Sequence, residues 1–162
     1  MADERTNTVI WSDILKLQLD GVMMHTILFE YYGVDGLIGY MYMHKHHAEE
    51  EFHNYLHVLS DYINEYQENP EMPQITAPTV ELDGTTMEEK MMKGMEFYKT
   101  WEMGVCVKLK KYQAELSQGK ECVDELIHDV YEELKCINLM QNELLDGEYE
   151  KLNCYLIKKW GD

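Results

Sequence analysis

The chain has 162 residues, 45% of them hydrophobic, and sets 31 acidic against 14 basic side chains for a formal charge of −17. That length and apolar content suit one domain with a sizeable core and exclude a disordered chain. The charge repels nucleic acid and anionic membrane and attracts cations. With 3 prolines, 10 glycines and 12 methionines, the composition favours long helices over sheets.

Residues 1–8 read as a polar lead-in, without the apolar segment of a signal peptide, and no later run approaches the ~18 apolar residues of a membrane span. Cys106, Cys122, Cys136 and Cys154 form no CxxC pair, so neither a zinc knuckle nor a disulfide framework is indicated. Free thiols of this kind suit a reducing compartment, and a cytoplasmic location is expected.

The first helix is predicted over about 9–32, with Ile14, Leu17, Met24, Ile27, Leu28 and Tyr31 at 3–4 spacing. Asp20 falls on that stripe, beside the weak helix former Gly21. Gly33 to Gly36 break the pattern and imply a tight antiparallel link. The second helix, about 37–66, contains HKHHAEEEFHNYLHVLSDYI, which crowds His44, His46, His47 and His53 around Glu49, Glu50 and Glu51. Glu50 and His53 are three apart, so they share a face one turn apart and together suit a metal ion. The apolar stripe Phe52, Leu56, Leu59 and Ile63 lies nearer Glu49, which leaves Glu49 with His53, and His46 on the same side, as the rival pair.

All three prolines fall within 68–85, a segment without helical period. Extended, it spans ~55–60 Å, enough to run the length of a bundle. The third helix is expected over about 86–116, opening on the acidic turn after Thr86, with Met91, Met95, Tyr98, Val105 and Leu109 in its stripe. Glu102 fills the gap in that stripe. After the break at Ser117 to Lys120, the fourth helix, about 122–145, repeats the arrangement, with Glu133 between Val130 and Ile137. A short fifth helix is expected over about 148–160. The whole reads as an all-α fold, a four-helix bundle of two hairpins in a single domain, 1–162.

Counted from their turns, Asp20 lies 13 residues before Gly33, Glu50 lies 14 after Gly36, Glu102 lies 15 before Ser117 and Glu133 lies 13 after Lys120. At ~1.5 Å per residue all four stand about 20 Å from a turn. Packed hairpins then bring four carboxylates to one level, with His53 a turn away. Like charges so close raise one another's pKa, and bound cations resolve the conflict. An oxygen-rich set with one imidazole suits iron or manganese, with zinc a further option. Glu50 is the natural bridge between two metals. Glu49 and Glu132 are candidates for supporting positions, and Glu125 with His128 repeats the i, i+3 spacing near the start of the fourth helix.

The phrase HAEEEFHNYLHVLSDYI resembles the second-helix signature of non-haem ferritins, and MPQITAPTVEL is similar to their long crossover. The order of two hairpins, crossover and short last helix resembles that family along nearly the whole chain. The resemblance implies a di-iron site, two Fe per subunit, with Asp20 in place of the first-helix glutamate. Glu50 would bridge, His53 would be the imidazole ligand, and Glu102 and Glu133 would come from the second hairpin. It implies ferroxidase activity centred on Glu50 and His53, with Fe(II) oxidised by dioxygen or peroxide, iron storage or detoxification, and a homo-oligomer such as a cage. Other divalent metals remain open. Departures from the family pattern are the shorter Asp20, slightly short helix spacings, and Ile27 where a tyrosine is usual. Two other readings stand beside this one. One is a non-storage di-metal oxidoreductase acting on peroxide or an organic substrate. The other is a metal-free helical interaction module.

Overall fold

The computed structural model describes residues 4–82, 84 and 86–161, with side chains from Asn7 onward; residues 1–3, Asp83 and Thr85 of the crossover, and Asp162 lie outside the described residues. The helices are α1 (Glu4–Val34), α2 (Ile38–Tyr66), α3 (Met87–Glu115), α4 (Lys120–Leu145) and α5 (Tyr149–Trp160). No strand occurs among the described residues. α1 pairs with α2 and α3 with α4, and the two hairpins form a four-helix bundle with α5 laid against α2 and α4. No helix among the described residues is long and apolar enough to cross a membrane.

α1 begins at Glu4, so residues 4–8 are helix where a loose lead-in was expected. Tertiary contacts hold that first turn: Asn7 is buried and donates to Ser117 Oγ at 2.6 Å, and Ile10 and Trp11 are core. Gly36, at φ 76°, makes the α1–α2 turn. α3 opens on a capping box. The Thr86 side chain accepts from Glu89 N–H while the Glu89 carboxylate accepts from Thr86 N–H.

The crossover runs back along the bundle, and its contacts mark the course. Tyr62 OH donates to Glu68 Oε1 at 3.0 Å, Thr76 N–H donates to Asp20 Oδ1 at 2.8 Å, and Tyr31 OH donates to the Val80 carbonyl at 2.9 Å. Lys90, in the first turn of α3, then reaches Asp35 in the α1–α2 turn at 2.9 Å. α3 therefore starts at the end where α2 began.

The core divides into two apolar clusters. One gathers Trp11, Leu15, Tyr55, Val58, Leu109, Val123 and Leu126. The other gathers Met24, Leu28, Tyr40, Met43, Met91, Met95 and Leu144. Between them lies a polar layer at mid-bundle. The interior face of α2 is built from Tyr40, His44, Glu51, Tyr55, Val58 and Tyr62, at 3–4 spacing. The stripe predicted for it is turned outward, with Phe52 48% and Leu56 47% exposed. α5 is seated by Gly39, whose N–H donates to Asn153 Oδ1 at 2.8 Å, and any side chain on Gly39 would run into the Asn153 carbonyl.

Candidate metal centre

Three helices meet in the polar layer through His25 of α1, Glu51 of α2 and Glu102 of α3. One donor atom from each lies within 4.8 Å of the other two, and all three residues are buried. Helix geometry explains the meeting. Gly21 stands opposite Glu51, and a Cβ there would come within 2.9 Å of the Glu51 carboxyl carbon. Side chains lean toward the N-terminus of their own helix. In an antiparallel pair, Glu51 and His25, one turn past Gly21, therefore lean toward each other.

His25 Nε2, Glu51 Oε2 and both oxygens of Glu102 have no hydrogen-bond partner within the protein. An unpaired buried polar group costs about 1–3 kcal/mol, so several at one point need a shared partner. A cation fits them. Donors about 2.1 Å from an ion stand roughly 3–4 Å apart, inside the 4.8 Å that bounds the spacing here. An imidazole with carboxylates suits iron, manganese or zinc.

The surroundings orient these donors. His25 Nδ1 lies 2.9 Å from His44 Nδ1, and the His25 ring stacks on His47 at 5.3 Å. His44 stacks on Tyr32 at 5.4 Å. Tyr98 sets its ring edge against His25 and donates a short hydrogen bond from its hydroxyl to Glu133 Oε2. Glu133 Oε2 also lies 3.8 Å from His47 Nδ1.

Burial pushes the Glu51 carboxyl well above the usual carboxylate range, helped by the charges of Glu133, Asp129 and Glu50. Burial does the same to Glu102, with Glu133 and Glu51 adding to it. Glu133 is raised by burial, opposed by His47 and the Tyr98 hydrogen bond. Burial lowers His25 and His44 well below the usual imidazole range, and neighbouring histidines lower them further. Without a cation, burial thus favours the uncharged forms of Glu51, Glu102, His25 and His44.

Of the residues expected from spacing, Glu102 is wholly buried in this layer and Glu133 borders it. Asp20, Glu50 and His53 are not gathered with them. Asp20 faces the crossover, where it takes the Lys16 amino group at 2.6 Å and the Thr76 N–H. Glu50 stands on the outer flank of α2, held by His46 Nε2 at 3.0 Å and His47 Nδ1 at 3.1 Å. The His47 hydrogen bond keeps its carboxyl below the ordinary value. His53 is exposed. Glu49 pairs with Lys45 at 3.8 Å and Glu132 with Lys135 at 3.4 Å, both on the surface. Glu125 and His128 are exposed on α4. On α2 the reason is helix phase: the inward face is rotated by about one residue from the stripe read in the sequence. On α1 the stripe residues Ile14, Leu17, Met24 and Leu28 are buried as expected, and Asp20 turns aside to the crossover.

Spacing arguments passed over His25, Glu51, His47 and Tyr98. Two signals pointed to them. A glycine inside a helix marks a close approach, here of Glu51 to Gly21. His25 is also flanked by Met24 and Leu28, both fully buried.

On the outer side, α2, α4 and α5 enclose a groove of about 900 Å³ that His47, Glu50, His53, Asp129 and Glu133 help to line. Trp160, at the end of α5, stacks on His46 at 4.0 Å on its rim.

No protein-family model and no curated protein sequence matches the chain. Among solved structures it is similar to a ferritin from the multicellular green alga Ulva pertusa, with a TM-score of 0.81 over 93% of this chain and 82% of that one, at 17% identity. The likeness is one of fold: this chain has the ferritin-like four-helix bundle with a short C-terminal helix.

Proposed function

We propose that this chain binds iron within the bundle and oxidises Fe(II), serving iron storage or detoxification. One observation carries the reading: buried His25, Glu51 and Glu102 turn unpaired donor atoms toward one point inside a ferritin-like bundle. His25 would present Nε2, and Glu51 and Glu102 would give up their protons and present carboxylates. Glu133 and His47 would be the donors for a second ion, and two ions per chain are part of the proposal. Fe(II) held there would supply one electron per ion to dioxygen, two ions and two protons carrying it to hydrogen peroxide, and carboxylates would favour the more highly charged Fe(III) product. The protein's part is to hold the donors, keep water out and fix Glu133 through Tyr98.

The net charge of −17 draws cations from solution. The four cysteines are free, which supports a reducing, cytoplasmic setting. Self-association is part of the proposal, supported by the outward stripe of Phe52, Leu56 and Ile63 on α2.

The test is anaerobic Fe(II) titration followed by stopped-flow oxidation under air, wild type against Glu102→Gln. Loss of a ligand should slow oxidation by about 10–100-fold. Equal rates, or no Fe(II) retained by the wild type, would overturn the reading.

A further inference from the structure

We propose that divalent cations reach the buried site through the groove between α2, α4 and α5, captured as hydrated ions by Glu50 and Asp129 and handed inward by Glu133 and His47. This route rests on the interior site proposed above and adds to it an outer capture point and a direction of approach.

The interior donors have no opening of their own: His25 and Glu102 are each 0% exposed. Exposure falls in steps from groove to interior. The side chain of Glu50 is 51% exposed, Glu133 16% and His47 12%, and Glu51 as a residue 7%. Each step touches the next. His47 Nδ1 lies 3.1 Å from Glu50 Oε2 and 3.8 Å from Glu133 Oε2, and the His47 ring stacks on His25. Asp129, Glu50 and Glu133 all lie near enough to act electrostatically on Glu51. His47 and Glu133 line the groove and also touch residues of the buried layer, His47 stacking on His25 and Glu133 accepting from Tyr98.

The groove is also the side on which a cation is welcome. Glu49, Glu50, Asp129, Glu132, Glu133 and Glu143 outnumber Lys151 and Lys159 along the groove, and the imidazoles of His46, His47 and His53 stand beside them. On the α1 flank, by contrast, the Lys16 amino group sits on Asp20, and Thr76 of the crossover closes over both. A hydrated ion sheds water reluctantly, and successive carboxylate and imidazole donors let it do so stepwise. An acid-lined cleft raises the local ion concentration and hence the association rate.

The experiment measures Co(II) uptake by the full chain under anaerobic conditions. Stopped-flow visible absorbance of bound Co(II) reports the loading rate, and equilibrium dialysis reports affinity and stoichiometry. Glu50→Gln with Glu132→Gln removes two groove charges from exposed positions. Glu30→Gln with Glu65→Gln removes the same charge from exposed positions outside the groove. The groove variant should load about tenfold more slowly, a larger change than in its equilibrium affinity, and the control should stay within about twofold of wild type. Equal loading rates for the two variants overturn the route and leave the interior site standing. A wild type that takes up no Co(II) overturns both.

Discussion

His25 Nδ1 and His44 Nδ1 lie 2.9 Å apart in the bundle interior, both rings wholly buried. Two nitrogen lone pairs do not approach that closely, so one proton lies between them. If His25 donates, its Nε2 is left as a bare lone pair facing Glu51 and Glu102. His44 thereby selects the tautomer that a metal needs. Replacing His44 by Phe removes the acceptor and should weaken Co(II) binding by about 10–100-fold. His44→Asn, whose side-chain oxygen stands near the place of Nδ1, should restore much of it. Calorimetric titration of the two variants measures the difference; equal affinities would remove His44 from the site's support.

Gly21 should separate stability from binding. Alanine is the better helix former by about 1 kcal/mol, so Gly21→Ala carries no intrinsic helix penalty. Its methyl, however, takes space now held by the end of the flexible Glu51 side chain. The expected variant melts no lower than wild type but binds Co(II) at least about tenfold more weakly. A fall in melting temperature with unchanged affinity would contradict the placement of Glu51.

The acids of the layer link metal binding to pH. Glu51 and Glu102 have folded-state pKa values raised above the ordinary 4.5, chiefly by burial. Between that value and their raised ones, the native metal-free chain holds more protons than the unfolded chain. Their contribution to metal-free stability is therefore complete below pH about 4.5 and is lost as pH rises through the folded values. A cation must displace those protons, so its affinity should rise with pH, with net proton release. Titration calorimetry in buffers of differing ionisation enthalpy measures the release; proton uptake would refute the buried acids as ligands. His25 and His44 act in the opposite sense. Their lowered values remove stability as pH falls below about 6.5.

The outward stripe of α2 predicts self-association. Leu56→Asp places a charge at its centre, next to Phe52. The expected result is a shift to smaller species on a sizing column with the melting curve little changed, because surface substitutions usually move stability by less than about 0.5 kcal/mol. An unchanged elution volume would take this face out of the assembly.

How far the sequence alone reaches differs from helix to helix. α3 and α4 carry Met, Val, Leu and Ile at 3–4 spacing, so Glu102 and Glu133 stand out as acids in apolar stripes, and both lie toward the interior. α2 misleads because its inward face uses residues of mixed character. Tyr40, Tyr55, Tyr62 and His44 are buried, while the more hydrophobic Phe52, Leu56 and Ile63 face outward. On α2 hydrophobicity selects a face about one residue away, which favours Glu49, and the i, i+3 spacing to His53 favours Glu50; neither selects the buried Glu51. Asp20 falls on the stripe read for α1, yet a crossover whose course is set only by tertiary contacts gives it another partner.

The paired hairpins have one more consequence. His25 and Glu51 belong to the first, Glu102 and Glu133 to the second. Each hairpin is knit closely within itself and more thinly to the other. An ion held at mid-bundle would act as a rivet between the two halves. A chain nicked in its proline-rich strap should then hold together more tightly when charged with metal than after chelation.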